Sequence, residues 1–386
     1  MKSFLTRRRA NAFLDSCARI ETGRLRVRTP EGHVHVFGDA GTEAELRIND
    51  WAAVSLLLAR GDLGFGQGYV AGLWDTPELE PLMTLAMRNE AALRRYAAPD
   101  RWNALALRAA GRLLHRDSPA GARRNIRAHY DLGNEFYGEW LDPGFTYSSA
   151  LFAPDDADLA RGQARKYDRV LDRLGERERV LELGCGWGGF AERAAGRGHA
   201  VTALTISPSQ KAFADARLDG RAEIQLRDYR AATGRYAGIV AIEMLEAVGE
   251  RNWPSYFATL KARLAEGGKV VMQVITVPDD RFGAYRRGTD YIRHATFPGG
   301  ALPCPGAISE GAARAGLRAG APFTFGRDYA LTCRQWARRL IERRTRLAAL
   351  GHGERRLRHW RYYLETSAAC FATGRADVAQ LELTHA

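Results

Sequence analysis

A short apolar strand that ends in a glycine-rich turn constrains the fold of this chain more than any other feature. Val180–Leu183 is predicted to be a buried parallel strand, and glycines follow at positions 184, 186, 188 and 189. Because glycine has no Cβ atom, the backbone of such a turn can approach a ligand closely and leave the N–H groups of the next helix free. Glu182 stands two residues before the first glycine, which distinguishes the turn from the dinucleotide-binding pattern. The turn alone is a weak indicator, so the flanking elements decide its meaning.

Strands and helices alternate on both sides of this turn. Alternation with short connections predicts a doubly wound, mostly parallel sheet of the α/β class. In such a sheet, ligands bind beyond the carboxyl ends of the strands, beside the first strand. The predicted strands are 179–183, 200–206, 222–228, 238–244 and 269–276, and the predicted helices are 161–174, 189–196, 208–218 and 252–265.

Residues 1–95 lack the regular alternation of strands and helices and are predicted to form a smaller N-terminal α+β domain. Short alternating runs predict strands at Arg24–Arg28 and Val34–Phe37, and an amphipathic run predicts a helix over Trp51–Arg60. The glycine-rich segment Gly61–Tyr69 is predicted to be a loop. A lipid-binding role is expected for this domain, on the resemblance given below.

Two further regions follow. Residues 96–128 are predicted to be a basic amphipathic linker whose apolar side chains either pack on a neighbour or enter a lipid interface. Residues 129–386 hold the predicted sheet. Within them, residues 277–325 break the alternation as a glycine- and proline-rich insertion that is expected to cover the substrate, and two helices are predicted over about 330–350 and 353–374.

The composition is that of an ordinary globular protein that can bury a large core, and 386 residues suit two domains. No run of 18 apolar residues occurs, so no transmembrane helix is predicted, and the basic N-terminus lacks the apolar stretch of a secretory signal. The five cysteines are scattered, which favours a reducing cytoplasm and predicts no disulfide framework. No metal site is expected, because no group of side chains has ligand spacing.

The positive charge is concentrated in parts of the chain. The net charge is +12, and the segment 334–361 contains ten arginines against two acids, Glu342 and Glu354. A basic surface of this kind attracts phosphates, either of nucleic acid or of anionic lipid headgroups. The alternative is that these arginines lie on solvated helix faces without a partner.

Several motifs occur in a fixed order around the glycine-rich turn, and together they carry a resemblance. They are HYDLGNEFY at 129–137, LDP at 141–143, YSSALF at 147–152, TISPSQ at 205–210, EMLEAVG at 243–249 and FPGGALP at 297–303. The series closely resembles the cyclopropane fatty acid synthase family, which includes the mycolic acid methyltransferases. Gly64–Asp75 also resembles the N-terminal domain of the members that act on bacterial phospholipids. The resemblance implies a Rossmann-like class I methyltransferase fold that uses S-adenosylmethionine.

The predicted cofactor residues lie at the carboxyl ends of the first three strands. Thr205, Ser207 and Gln210 can hydrogen-bond ribose hydroxyls, although Ser207 before Pro208 is also a good helix cap. Asp228 is predicted to accept a hydrogen bond from the adenine amino group. With the positions that the resemblance implies, the full set is Tyr147, Ser148, Glu182, Gly184, Cys185, Gly186, Thr205, Ser207, Gln210, Asp228 and Tyr229.

The resemblance also implies a reaction. A cis alkene takes the methyl group of the cofactor, a carbocation forms, and a bound bicarbonate removes a proton from the new methyl group to close a cyclopropane ring. In the family, bicarbonate lies near a cysteine, a glutamate, a histidine, an isoleucine and a tyrosine. The matching catalytic residues here are Ser149, Glu246, Gln273, Ile275 and Tyr329, with serine in place of the cysteine and glutamine in place of the histidine.

Those two replacements, and Ala247 where a histidine usually follows the glutamate, leave two products open. Serine and glutamine can still hydrogen-bond an anion, but the positive charge that imidazole can carry near neutral pH is lost. Either bicarbonate binds and the ring closes, or the cation resolves into a methyl- or methylene-branched chain.

Three classes of function are weighed. The first is an enzyme that modifies unsaturated acyl chains of membrane phospholipids, located in the cytoplasm, docked peripherally on anionic lipid and able to form a homodimer. The second is an RNA methyltransferase; no aromatic and basic RNA-binding module is seen, so nucleic acid is not an expected partner. The third is a non-catalytic lipid-binding protein, against which the intact glycine-rich turn argues.

Overall fold

The computed structural model describes residues 2–97 and 132–386. The chain divides into two compact units, each formed from several segments. The first comprises the described part of Met1–His115 with Tyr285–Pro298 and Trp336–Gly374. The second comprises the described part of Arg116–Ala284 with Gly299–Gln335 and Arg375–Ala386. Of the predicted linker 96–128, residues 98–128 lie outside the described residues.

The first unit contains a four-stranded sheet in the order β2-β1-β3-β4. β1 pairs antiparallel with β2 and parallel with β3, and β3 pairs antiparallel with β4. The strands are β1 (Arg24–Arg28), β2 (Val34–Phe37), β3 (Glu43–Ile48) and β4 (Trp74–Asp75). The helices of this unit are Lys2–Cys17, Ala52–Arg60, Asp62–Val70, Leu79–Arg88, Glu90–Ala97, Arg344–Ala349 and Glu354–Ala372, with a short π-helix at Ile292–Thr296.

The second unit contains the doubly wound sheet that the sequence predicts. Its strands are β5 (Arg179–Leu183), β6 (Ala200–Thr205), β7 (Glu223–Leu226), β8 (Tyr236–Ile242), β9 (Leu264–Thr276), β10 (Leu317–Ala319), β11 (Phe323–Thr324) and β12 (Asp377–His385). The order is β10-β12-β9-β8-β5-β6-β7, with β11 beside β12. Strands β5 to β9 pair in parallel, whereas β12 pairs antiparallel with β9, β10 and β11. Because β5 is the middle one of the five parallel strands, the glycine-rich turn leaves this part of the sheet at its centre.

Helices cover both faces of this sheet. Consecutive strand residues belong to different apolar clusters, as Val180 and Leu181 do, so each face packs against its own layer. The helices are Asn134–Gly138, Leu159–Leu174, Gly189–Gly196, Pro208–Leu218, Leu245–Val248, Trp253–Arg263 and Pro305–Arg314, with 3₁₀ turns at Tyr229–Ala231 and Glu250–Asn252. Two more helices, Asp279–Arg287 and Gly326–Glu342, contribute residues to both units. Among the described helices, none combines the length and apolar character needed to cross a bilayer.

The prediction of a loop over Gly61–Tyr69 is wrong, because Asp62–Val70 is a helix. Its glycines serve close packing. A Cβ atom on Gly64 would lie 2.1 Å from the carbonyl oxygen of Leu56, and one on Gly66 would lie 2.4 Å from the ring of Tyr291. Glycine was interpreted as a loop signal, whereas here it lets neighbours approach the helix backbone.

The end of the chain is also organised differently from the sequence prediction, which placed both terminal helices in a continuous 129–386 domain. The structure groups Trp336–Gly374 with the N-terminal residues. Within helix Glu354–Ala372, Arg358 donates to the carboxylate of Asp75 over 3.0 Å, and the Glu365 carboxylate accepts from the N–H of Leu79 over 2.8 Å. The final strand, β12, was not predicted. The proposed role of 277–325 as a substrate cover stays a prediction.

Candidate active site

The glycine-rich turn leaves β5 in backbone conformations that favour glycine. Gly184, Gly186 and Gly188 have φ angles of +78°, +52° and +82°. A Cβ atom on Gly184 would lie 3.1 Å from Cγ of Met244, and the Gly184 N–H donates to the carbonyl of Leu204 over 3.0 Å. The turn therefore presents backbone with little side-chain bulk at the carboxyl edge of the sheet.

Glu182 and Cys185 lie buried on either side of Gly184. Burial raises the pKa of the Cys185 thiol well above its usual value, so this cysteine is an unreactive packing residue. Burial raises the pKa of Glu182 to about 8, and its Oε2 atom accepts no hydrogen bond from the described residues. A buried acceptor beside an open backbone turn fits S-adenosylmethionine, which brings hydroxyl and ammonium donors of its own.

The three polar residues predicted to hold ribose bind one another. The hydroxyl of Thr205 donates to Oε1 of Gln210 over 3.0 Å and accepts from the N–H of Ser207 over 3.2 Å. The Ser207 hydroxyl accepts from the N–H of Gln210 and caps the helix that Pro208 begins. The capping interpretation of Ser207 is thus confirmed, and the ribose contact stays a prediction.

Asp228 and Tyr229 follow β7 at the same edge. The Asp228 carboxylate accepts two hydrogen bonds from the Arg230 guanidinium, over 2.8 and 2.6 Å. Tyr229 is buried and its ring meets that of Tyr256 edge-on at 5.6 Å. Asp228 therefore carries its charge beside a cation, and the predicted adenine contact stays a prediction.

An aromatic cluster lies against the glycine-rich turn. The Tyr147 ring packs on Tyr137 and Trp140 at centroid distances of 5.8 and 5.5 Å, and Tyr137 packs on Trp187 of the turn at 5.2 Å. The indole N–H of Trp187 donates to the side-chain oxygen of Asn134 over 2.8 Å. The YSS motif and the turn are thereby brought together, as the resemblance implies.

Ser148, the other residue of that motif predicted to contact the cofactor, meets two buried polar side chains. Nζ of Lys166 donates to its hydroxyl over 2.5 Å, and the side-chain amide of Gln163 donates to its carbonyl over 2.8 Å. Lys166 is 0% exposed, and burial lowers its pKa to about 7 although the nearby carboxylates of Glu243 and Glu182 act in the opposite direction. Burial and the neighbouring carboxylates therefore act in opposite directions on the charge of this lysine.

The predicted catalytic residues converge on a carboxylate that the sequence analysis did not single out, that of Glu243. Its Oε1 atom accepts from the backbone N–H of Ser149 over 2.9 Å and from the side-chain amide of Gln273 over 2.8 Å. Its Oε2 atom accepts from the hydroxyl of Tyr329 over 2.6 Å. These four residues are called the Glu243 cluster below.

The strand pairing holds the cluster in register. Gln273 of β9 pairs with Ile242 of β8 on one side and with Gln380 of β12 on the other. The Gln380 amide donates to Oε1 of Gln273 over 3.0 Å, which turns the amide nitrogen of Gln273 towards Glu243. The unpredicted strand β12 thus orients a residue of the site.

Glu246 lies one helical turn further along and is surrounded differently. Its Oε1 atom accepts from the backbone N–H of Ile275, whereas its buried Oε2 atom accepts no hydrogen bond from the described residues. Burial, followed by repulsion from Glu243, raises the pKa of Glu246 to about 8. Burial and the neighbouring carboxylate thus both favour the protonated form of Glu246.

The sequence analysis thus found Ser149, Gln273 and Tyr329 but missed the acid that joins them. Glu243 is part of the EMLEAVG motif, yet attention fell on Glu246 because the resemblance assigns a role there. A usable signal existed, since Glu243 is the first residue after β8, at the sheet edge where ligands bind. Lys166 and Gln163 lack such a signal, because they lie on a helix whose other residues are ordinary.

The comparisons with known proteins identify the family of this chain. The family model for mycolic acid cyclopropane synthetase matches residues 117–381. Tuberculostearic acid methyltransferase UfaA1 of Mycobacterium tuberculosis is 39% identical over 339 residues, covering 84% of this chain and 79% of the relative. Cyclopropane-fatty-acyl-phospholipid synthase of Escherichia coli K12 is 29% identical over 332 residues, covering 85% of this chain and 84% of the relative.

Solved structures of the same family are also similar to this chain. The cyclopropane synthase MmaA2 of Mycobacterium tuberculosis superposes with a TM-score of 0.64 at 27% identity, over 68% of this chain and 97% of its own. The mycolic acid cyclopropane synthase CmaA1, complexed with SAH and CTAB, gives a TM-score of 0.63 at 27% identity, with the same coverage of 68% and 97%. The predicted class I methyltransferase fold is confirmed. This chain belongs to the mycolic acid cyclopropane synthetase family and is an S-adenosylmethionine-dependent methyltransferase.

Proposed function

We propose that this enzyme methylates the cis double bond of an unsaturated acyl chain in a membrane phospholipid. The observation that carries the proposal is the Glu243 cluster, a buried proton-accepting site beside the cofactor turn. Met244 connects the cluster to the cofactor turn, because it follows Glu243 in the chain and its Cγ atom lies against Gly184. A cation formed on an acyl chain at this place would find an acceptor for its proton within a site closed to water.

The chemistry divides between the cofactor and the protein. S-adenosylmethionine supplies an electrophilic methyl group on a sulfonium. The protein must hold a poor nucleophile in the right geometry, keep water away from the cation and accept a proton. The rings of Tyr137, Trp140 and Tyr147 support the second task, since aromatic faces attract cations without donating a nucleophile.

Of the two products left open by the sequence, we propose the branched chain, with the proton lost after the positive charge moves to the methylated carbon. The 39% identical relative, named a tuberculostearic acid methyltransferase rather than a synthase of rings, supports this choice. The cyclopropane is the second candidate, and the 29% identical phospholipid synthase supports it. Both products gain one CH₂ group and have the same mass, so they are distinguished by whether the new carbon is bonded to one or to both carbons of the former double bond.

A basic surface that also exposes apolar side chains supports a phospholipid bilayer as the source of the acyl chain. Ile341 and Leu350 are 46% and 37% exposed, which is unusual for large apolar side chains. Between and after them, Arg343, Arg344 and Arg355 are exposed. Apolar side chains among arginines fit an anionic membrane surface, where each cation contributes about 1 kcal/mol. Peripheral docking is thus proposed, and a homodimer stays a prediction.

The reaction is tested by incubating purified enzyme with S-adenosylmethionine and vesicles of unsaturated phosphatidylglycerol, then analysing the fatty acids by mass spectrometry and proton NMR. We expect a mass gain of one CH₂ with the signals of a branched chain; ring protons would select the cyclopropane. Total RNA serves as the competing acceptor. Methylated RNA with unchanged lipid would refute the proposal, and cofactor binding without any transfer would favour the non-catalytic alternative.

Docking is tested by vesicle flotation with phosphatidylglycerol and with phosphatidylcholine. The double variant Ile341→Glu/Leu350→Glu should lose most of its binding to anionic vesicles, and added salt should weaken the binding of the unaltered enzyme. Leu226→Glu, at an apolar side chain of the second unit that is 51% exposed, is the matched control. Equal flotation of both variants would argue against this surface as the docking site.

A further inference from the structure

We propose that Glu243 is the proton acceptor of the reaction and takes the place that the family resemblance assigns to bicarbonate. The inference rests on the proposed function, because it names the base for that reaction. It needs no dissolved co-reactant, since the acceptor is part of the chain.

The donors that should hold an anion are already engaged. Of the five positions expected around bicarbonate, Ser149, Gln273 and Tyr329 direct their donors to the Glu243 carboxylate over 2.9, 2.8 and 2.6 Å. A fourth, the N–H of Ile275, donates to Glu246, which is the fifth. The site therefore does not fit a bicarbonate ion as it stands, and a carboxylate, the same kind of planar oxyanion, receives these hydrogen bonds.

The backbone of Glu243 is held in a strained conformation. Its φ angle is +52°, in the left-handed region, where a residue with a side chain is disfavoured by about 1–3 kcal/mol. The N–H of Glu243 donates to the carbonyl of Gln273 over 2.8 Å, which fixes that conformation. Glycine would adopt it without strain, so the carboxylate is retained at a cost in stability.

The two acids of the site differ in their donors, and this decides which one holds the proton. Burial raises the pKa of Glu243, but the three hydrogen bonds that its carboxylate accepts, and its interaction with the charged form of Lys166, favour the ionised state. Glu246 accepts one hydrogen bond. Glu243 is therefore the ionised member of the pair and Glu246 the protonated one, the usual division of roles between neighbouring carboxyls.

The proton transfer balances within the site. A C–H bond of the new methyl group breaks, and its proton forms an O–H bond with Oε2 of Glu243. Among the described residues, this oxygen accepts from the Tyr329 hydroxyl alone and so keeps a lone pair. The electron pair of that C–H bond forms either the second bond of a C=CH₂ branch on the acyl chain or the C–C bond that closes a cyclopropane ring. The carboxyl group then returns its proton to water when the product leaves.

The decisive experiment compares the unaltered enzyme with Glu243→Gln and Glu243→Gly, in buffer stripped of carbon dioxide and in buffer with added bicarbonate. We expect the unaltered enzyme to be indifferent to bicarbonate. Glu243→Gln should lose at least about 100-fold in turnover, the range typical of a general base, with its affinity for S-adenosylmethionine unchanged. Glu243→Gly relieves the strained backbone and frees the three donors, so added bicarbonate should restore part of its turnover. Glu310→Gln, the same change on the exposed surface, is the control.

Binding of ¹³C-bicarbonate, followed by NMR, gives a readout independent of turnover. We expect Glu243→Gly to bind bicarbonate and the unaltered enzyme not to bind it. A bicarbonate requirement in the unaltered enzyme, bicarbonate affinity equal to that of Glu243→Gly, or a Glu243→Gln variant within threefold of normal turnover would each overturn the inference. If no lipid is methylated by any variant, the proposed reaction fails, and the binding measurement alone still decides whether Glu243 fills the anion site.

Discussion

The two halves of the active site are built in opposite ways. The cofactor half is a contiguous turn, Gly184–Gly189, and its properties come from backbone conformation. The acceptor half is assembled from four separate segments, and its properties come from buried side chains. Binding of the methyl donor needs a backbone that the cofactor can approach closely, whereas proton acceptance needs a carboxylate whose pKa is set by its neighbours. The comparison teaches that the first half should be sensitive to added bulk and the second to single polar atoms.

The largest effect is expected from bulk in the cofactor half. Gly184→Val places a branched side chain at a φ of +78°, where it also meets Met244, so S-adenosylmethionine binding should fall at least about 100-fold and turnover should disappear. Isothermal titration with the cofactor measures the change. Gly196→Ala, at a position with no atom within 4 Å of the added Cβ, should bind normally. Normal binding by Gly184→Val would mean that the turn does not hold the cofactor.

A smaller effect is expected from one atom in the acceptor half. Tyr329→Phe removes the hydroxyl that donates to Oε2 of Glu243. A hydrogen bond to a charged group is worth about 1.5–3 kcal/mol, so turnover should fall roughly 10- to 100-fold. Because the lost donor favoured the charged carboxylate, the pKa of Glu243 should rise and the acidic limb of the pH–rate profile should move to higher pH.

Affinity for the cofactor should not change in Tyr329→Phe, which separates the two halves. Tyr236→Phe, at the opposite end of β8, is the matched control. A variant with unchanged turnover and an unshifted acidic limb would show that Tyr329 does not position the base.

The smallest effect concerns stability. The pKa of Glu246 is raised from 4.5 to about 8 by burial, so the folded enzyme holds a proton there that the unfolded chain releases above pH 4.5. The contribution of Glu246 to the free energy of unfolding should therefore fall as pH rises from about 4.5 to about 8 and level off above that. Glu246→Gln should reduce this slope, although Glu182, with the same raised pKa, preserves part of it.

Urea unfolding of both proteins at pH 5, 7 and 8 measures the slope. Glu310→Gln, at an exposed acid, should keep the slope of the unaltered enzyme. Parallel curves for Glu246→Gln and the unaltered enzyme would mean that Glu246 is not a buried acid.

Helix and strand bounds could be predicted from the sequence wherever the residues that determine an element lie within that element. The helices at 189–196 and 208–218 and the strand at 179–183 begin and end where predicted, because apolar periodicity, a capping serine and glycines act within one element. The glycine-rich segment at 61–69 misled the prediction, since the reason for its glycines lies in contacts with Leu56 and Tyr291, the second of which is far away in the chain.

By itself, then, the sequence determined the parallel sheet, the cofactor turn and the family, all of which depend on consecutive residues. Only the tertiary structure decided that Glu243 receives the donors of Ser149, Gln273 and Tyr329, and that Glu246 does not. The physical reason is that the charge state of a buried carboxyl depends on how many donors surround it. Those donors are here brought together by strand order and by a terminal strand 107 residues beyond Gln273.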